Sequence, residues 1–476
     1  MKASLHGITK GRVLALAGAL FALGLLIAGC TSSLAPTAST VTSLRTTVVP
    51  VSVTDAPADP VLALKLTINS IVLTDSSGKT ASLLSSPAAF EAVHMDAVQE
   101  PFFTPPIPQD TYTSVTISYS NAVVSYIDPT TGHVDVATVT PTTSSYTDTF
   151  SSPVTVGSSP TSLLFDLLVA NSVTISSSTV TVTPEFNVSV VPIPPAPTNG
   201  VNGLMCGYKG MVTAIGTNNF TITDGNGNTQ IVYVNASTVY QGISGFSALQ
   251  VNALVEVDTA TQTDGTLLAQ RVEVDDPGTA PKLQLVGPVT SVTGSPATSF
   301  NMLVRQQLGQ GTTNATPLQT VDVTIDGSTT FQLPPRYNAL ATAPPFVPTF
   351  NASTIFAGQH VGVITTSTTE GTTATASAVL LQPQTVDGTI ASIGNSGGYT
   401  VFTLTLSSTS WLAKLTGQTT VTVYTNGQCQ PINTTAPAVG GQMRFNGFLF
   451  NVNGSLTLLA DVQAGPPGAP IGPPMG

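Results

Sequence analysis

Few residues in this chain carry chemistry, so each group is weighed by its spacing. Gly394-Asn395-Ser396-Gly397-Gly398 fits the G-x-S-x-G phrase of a serine nucleophile. Such a serine needs a strand-to-helix turn beneath it, with a histidine and a carboxylate within reach. Strand-forming residues follow here, and His94, His133 and His360 stand far away in unrelated settings. The phrase therefore reads as a hairpin turn. Asp224-Gly225-Asn226-Gly227-Asn228 starts like a calcium loop, with Asp224, Asn226 and Asn228 as oxygen ligands. Thr229 stands where that loop needs glycine, and Asn235 where it needs a bidentate glutamate. Asp-Gly and Asn-Gly also favour tight hairpins, and the turn is the preferred reading. Asp55, Asp59 and Asp96 with His94 could meet at one end of a domain, where calcium is the matching hard cation. No spacing demands it, and Asp55 before Ala56-Pro57 reads more simply as a turn residue. Saccharide binding by β domains uses exposed aromatic platforms. Trp411 is the lone tryptophan, and Tyr112, Tyr119, Tyr126, Tyr208, Tyr233 and Tyr240 are scattered. No catalytic residue and no cofactor is assigned.

The elements that must hold these residues are strands. Of 476 residues only 8% are charged, and the formal net charge is −11. Helix formers are scarce after the N-terminus, while Val-Thr-Ile alternation recurs throughout, which is an all-β composition. The length suits about three domains. An acidic chain with few lysines repels phosphate backbones, so nucleic acid is not an expected partner.

The N-terminus carries an address. Lys2, Lys10 and Arg12 precede the largely apolar run Val13–Ala28, and small residues lead into a cysteine at Leu26-Ile27-Ala28-Gly29-Cys30. A charged start, an apolar middle and a small-residue cut make an export signal over 1–29. The run is short for a membrane span of about 20 residues. A cysteine just after the cut resembles the lipobox of bacterial lipoproteins. The resemblance implies cleavage before Cys30, diacylglycerol on its sulfur and an acyl chain on its new amine. The membrane is then a partner through that lipid. Thr31 follows, and by the same resemblance this points to the outer membrane. Cys206 and Cys429 remain, and a bridge between them or two free thiols are both open.

Taken in order, 30–47 reads as a flexible tether. A first domain over 48–191 shows alternating strands, about seven in all, and suggests a β-sandwich. Pro87–Glu100 is expected to form one short helix. The opening Thr54-Asp55-Ala56-Pro57, the segment Asp110–Val115 and Leu164-Phe165-Asp166-Leu167 before Asn171-Ser172-Val173 resemble a family of bacterial lipoprotein domains of unknown function. This implies a sandwich and supplies no catalytic residues. A Pro-rich linker occupies 192–206.

After it one phrase appears three times: Gly210–Ile215, Gly287–Val292 and Gly388–Ile393, each followed by a Phe-led strand. Three copies of a five-strand pattern, at 207–277, 282–383 and 384–464, predict three small barrels. The units resemble a second bacterial family of unknown function, found in tandem on exported proteins, and that resemblance implies an OB-like barrel. A disordered Pro/Gly tail is expected over 465–476.

These readings lead to a non-catalytic, lipid-anchored cell-envelope lipoprotein that works as a scaffold or protein-interaction array. The alternative is an envelope lipoprotein that binds a glycan or small ligand. A hydrolase would need a serine or a carboxylate pair beside a histidine in one cleft, which the sequence alone does not display.

Overall fold

The structure, a computed structural model, describes residues 45–465 except 57, 159–160, 178, 194–203, 281, 311, 314–317, 341, 368, 426–429 and 432–435. Cys30 and Cys429, the signal and most of the tether, linker and tail lie outside the described residues. Of Cys206 only the backbone is described, within the strand Leu204–Ile215. No described helix is long and apolar enough to cross a membrane.

Alternation builds the first domain. In Val61–Asp75, Leu64, Leu66 and Ile68 face inward while Lys65, Thr67 and Asn69 face out. Period-two side-chain direction makes such a strand bury one face. It pairs with the long strand Asp110–Ile127, which pairs in turn with Ser145–Val156. A second sheet has the order Phe186–Pro192, Thr161–Leu168, Val51–Ala56 and Glu100–Phe103. Within it Thr161–Leu168 runs parallel to Val51–Ala56, so two of the stretches that carry the first resemblance are neighbouring strands. The sheets share one core, in which Val51, Val53 and Phe165 meet Leu64, Val115 and Ile117.

Two expectations are corrected. Pro87–Glu100 does not form a helix beyond the single 3-10 turn Val93–Met95. Ala88–Glu91 pairs instead with Val61–Asp75, and Glu100 opens another strand. Burying Phe90 opposite Leu66 outweighs local helix preference. The sheets also exceed seven strands, chiefly through Ser145–Val156, whose Ser and Thr content hid it.

Three closed, five-stranded barrel-like units follow. Barrel 1 uses Leu204–Ile215, Asn219–Thr223, Thr229–Tyr233, Leu254–Thr261 and Leu267–Asp276. Barrel 2 uses Leu283–Gly294, Ala297–Leu303, Thr320–Thr324, His360–Thr365 and Thr373–Leu381. Barrel 3 uses Gln384–Ser396, Tyr399–Thr405, Thr420–Thr425, Gln442–Val452 and Ser455–Ala464. In each, numbering these strands 1 to 5, strand 1 pairs with 2 and 4, 2 with 3, and 4 with 5, all antiparallel. A parallel pairing of 3 with 5 closes the ring.

The repeated phrase explains the closure. The register slips at Val212/Ala214, at Val289/Ser291 and at Ile390/Ser392, the same place in all three copies. A bulge there bends strand 1, as a small barrel requires. The described residues of the sandwich and the barrels form one compact unit.

Candidate functional site

A cavity of about 610 Å³ lies where the sandwich meets barrels 2 and 3. The loop after the first buried strand supplies Asp59, and the 3-10 turn with its C-cap supplies His94 and Asp96. Arg305 stands just past strand 2 of barrel 2, His360 opens its strand 4, and Asp387 precedes Gly388 in barrel 3. Trp411 begins the short helix Trp411–Thr416. Its backbone N–H donates to Asp59 O at 2.7 Å, and Thr409 Oγ1 donates to Asp59 Oδ2 at 2.7 Å. Barrel 3 is thereby pinned to the sandwich beside the cavity.

His94 is held between two carboxylates: Nδ1 lies 2.9 Å from Glu91 Oε2 and Nε2 lies 3.1 Å from Glu100 Oε1. Burial opposes its charge, but Glu100 and then Glu91 outweigh it and raise its pKa to about 10. Glu91 also accepts N–H bonds from Leu64, Val93 and His94, which fixes the turn. His360 is the opposite case. Its Nδ1 lies 2.9 Å from Pro383 O, which can only accept, so Nδ1 carries the proton and Nε2 is an acceptor. Burial, and then the Arg305 charge, holds its pKa well below the ordinary value.

Arg305 is 8% exposed; its Nε donates to Leu62 O at 2.7 Å and its guanidinium lies 5.7 Å from the Trp411 ring centre. Among the described residues its Nη2 finds no acceptor, and His360 Nε2 finds no donor. Arg444, fully buried, donates to Asp96 Oδ1 at 3.0 Å and to the carbonyls of Asp55 and Gly465. Behind this wall Asp55 and Asp166 are buried, with no hydrogen bond to either carboxyl among the described residues. Burial raises both, Asp55 further through Asp96, Asp166 and Glu91, and Asp166 to about 6. Burial, with Asp96 and Asp59, also raises Asp387, to about 7.

A second cavity, of about 260 Å³, shares His94 and His360 and touches all four modules. Its wall is an ion network. Lys209 meets Glu256, Arg271 meets Asp258 at 2.7 Å and also Glu273, and Arg336 meets Glu256 at 2.7 Å. Burial opposes the Glu256 charge, but Arg336, Lys209 and Arg271 hold its pKa low. Glu273 is driven the other way, to about 7, by burial. Arg336 also lies 4.8 Å from the Phe448 ring centre and comes from the 3-10 turn Pro335–Ala339, between strands 3 and 4 of barrel 2. The cations here are matched by acids, so this network works as structural glue.

Of the residues singled out above, Asp59, Asp96 and His94 do meet, together with residues that the sequence left scattered. Asp55 is joined to Asp96 by a backbone bridge rather than by its carboxyl. His94 and His360, read as unrelated, line the same cavities, which corrects that expectation. Ser396 sits at a strand end opposite Tyr399, across the Gly397-Gly398 turn, as a hairpin residue. The Asp224 carboxyl accepts from the N–H groups of Asn226 and Asn228 and from Asn228 Nδ2, while Asn228 also reaches Ala89 O. Among the described residues no three His, Cys, Asp or Glu side chains are placed to share a metal ion. Tyr112, Tyr119, Tyr126 and Tyr208 are core residues. Arg305 and Arg444 escaped sequence reasoning, although a signal existed. In so sparsely charged a chain, an arginine inside an apolar run, as in Met443-Arg444-Phe445, marks a buried charge with a partner.

The fold defines an all-β protein made of a sandwich and three barrel-like units. Residues 209–273, most of barrel 1, match the family described as domain of unknown function (DUF5666). No curated protein matches the chain.

Proposed function

We propose that this chain is a non-catalytic, lipid-anchored lipoprotein of the bacterial envelope that binds a small polyhydroxy ligand, a saccharide, in the larger cavity. The observation that carries the reading is the pair Arg305 Nη2 and His360 Nε2, a buried donor and a buried acceptor without partners among the described residues, on two side chains that line one cavity. A buried polar group without a partner costs about 1–3 kcal/mol, so a ligand that satisfies both gains affinity. A sugar hydroxyl accepts and donates at once. Trp411 lines the same space and offers a ring face, and 610 Å³ lies within the roughly 300–1,000 Å³ of small-ligand sites. Hydrolysis is not favoured: Glu91 and Glu100 keep His94 charged, and Ser407, which lines the same cavity, is hydrogen-bonded to Thr409. The shared, buried junctions support one body around one site over a string of independent docking modules.

The test is a saccharide panel read by melting temperature and calorimetry, on wild type and on Arg305→Met and Trp411→Ala. A ligand held at about 100 times its Kd stabilises by ~2.7 kcal/mol, and both variants should lose that gain. No shift with any sugar would overturn the reading. The anchor is checked separately: Cys30→Ala should leave the membrane fraction and lack the lipid mass.

A further inference from the structure

Resting on that saccharide reading, we infer that the ligand carries a free amine: the cavity is built for an amino sugar, with Asp59 and Asp387 facing its ammonium. The acids around the cavity are not equally free. Asp96 is held by Arg444, and Glu91 and Glu100 by His94. Among the described residues, Asp59 and Asp387 have no Lys, Arg or His nitrogen within 4.0 Å, although both line the space. Arg444 stands opposite Asp387 in the strand register, but its Nη1 is directed to Asp96 and the Asp55 carbonyl and its Nε to the Gly465 carbonyl. Among the described residues Asp59 is oriented by Thr409 alone, through Oδ2.

Arg305 adds a second, independent sign. Nine-tenths buried, it lines the same cavity with one donor unpartnered among the described residues, and it repels an ammonium while welcoming a hydroxyl or ring oxygen. A cation at Asp59 and Asp387 and an oxygen near Arg305 are features of one molecule. A simple amine lacks the oxygens, and a neutral sugar lacks the charge. Asp387 faces Asp96, Asp59 and Arg444, and burial with the two acids raises its pKa to about 7. An ammonium beside it favours the ionised form, so binding should weaken as pH falls from 7 to 5, where the amine stays charged and Asp387 takes up its proton.

The experiment is calorimetry of the full mature chain at both pH values. The probes are a glucosamine disaccharide, its N-acetylated counterpart and calcium chloride alone. The free amine should bind about tenfold more tightly than the N-acetylated sugar at pH 7, the ratio expected of one charge-assisted contact. Asp59→Asn/Asp387→Asn should bring that ratio near one with the wild-type far-UV spectrum kept. Equal affinity for the two sugars in wild type would overturn the amine and leave the saccharide reading standing. Binding of neither sugar would end both. Saturable calcium binding lost in the double variant would overturn the inference by giving the carboxylates to a hard cation.

Discussion

Asp166 sits 2% exposed with both carboxyl oxygens unpartnered, beside an arginine whose Nη1 points to Asp96. Its pKa rises from 3.8 to about 6, through burial first, with Asp96 adding and Arg444 opposing. The folded state therefore binds this proton more tightly than the unfolded chain. The resulting stability is complete below about pH 4 and is lost as pH climbs through about 6, to the order of 3 kcal/mol. His94 has a separate window. Raised from 6.5 to about 10, its contribution is complete below about 6.5 and lost as pH climbs through 10. Between pH 4 and 6.5 the Asp166 slope is not masked by it. Asp166→Asn should match wild type near pH 4.5 and exceed it by ~1–3 kcal/mol near pH 7.5 in urea melts. Parallel curves for the two proteins would show an ordinary carboxyl.

At the scale of the element, three glycines do one job. A Cβ on Gly210 would fall 2.6 Å from Thr223 O, and one on Gly388 would fall 2.7 Å from Thr405 O. On Gly287 it would strike Leu303 O. These backbones have ordinary φ, so the need is close approach of strand 1 to strand 2 just ahead of the bulge. Alanine at each should cost ~1–3 kcal/mol, as overpacking does, and the costs should add because the sites lie in different barrels. Gly394, with nothing within 4 Å of an added Cβ, is the control and should change stability by less than about 0.5 kcal/mol. Equal, small effects at all four positions in chemical denaturation would refute the approach argument.

At the scale of the whole molecule, the modules are tied by buried and half-buried bonds. Ser125 Oγ donates to Leu318 O at 2.6 Å, Gln230 Nε2 to Phe102 O at 2.7 Å, and Thr385 Oγ1 to Asp96 O at 2.6 Å. Trp411 packs on a small core shared by Leu62, Ile127 and Leu303. As the lone tryptophan it reports on that junction by itself. Its fluorescence and the far-UV dichroism of all strands should fall in one coincident transition. A fluorescence change at lower denaturant would mean that barrel 3 leaves first.

The sequence by itself determined what repeats locally. Alternation set the strands and their inward faces, and the thrice-used glycine phrase set three barrels, because side-chain direction and a close-packed bend are decided within a few residues. It misjudged Pro87–Glu100, where pairing with Val61–Asp75 overrode a local preference. It could name Asp59, Asp96 and His94 as neighbours, since they share one domain and one end of it. Only the tertiary structure brought them to Arg305, His360 and Asp387. Those contacts join segments hundreds of residues apart, and no periodicity encodes which barrel face meets the sandwich. The fit of buried surfaces and the pairing of a few sparse charges decide that, and they exist only once the four modules are packed.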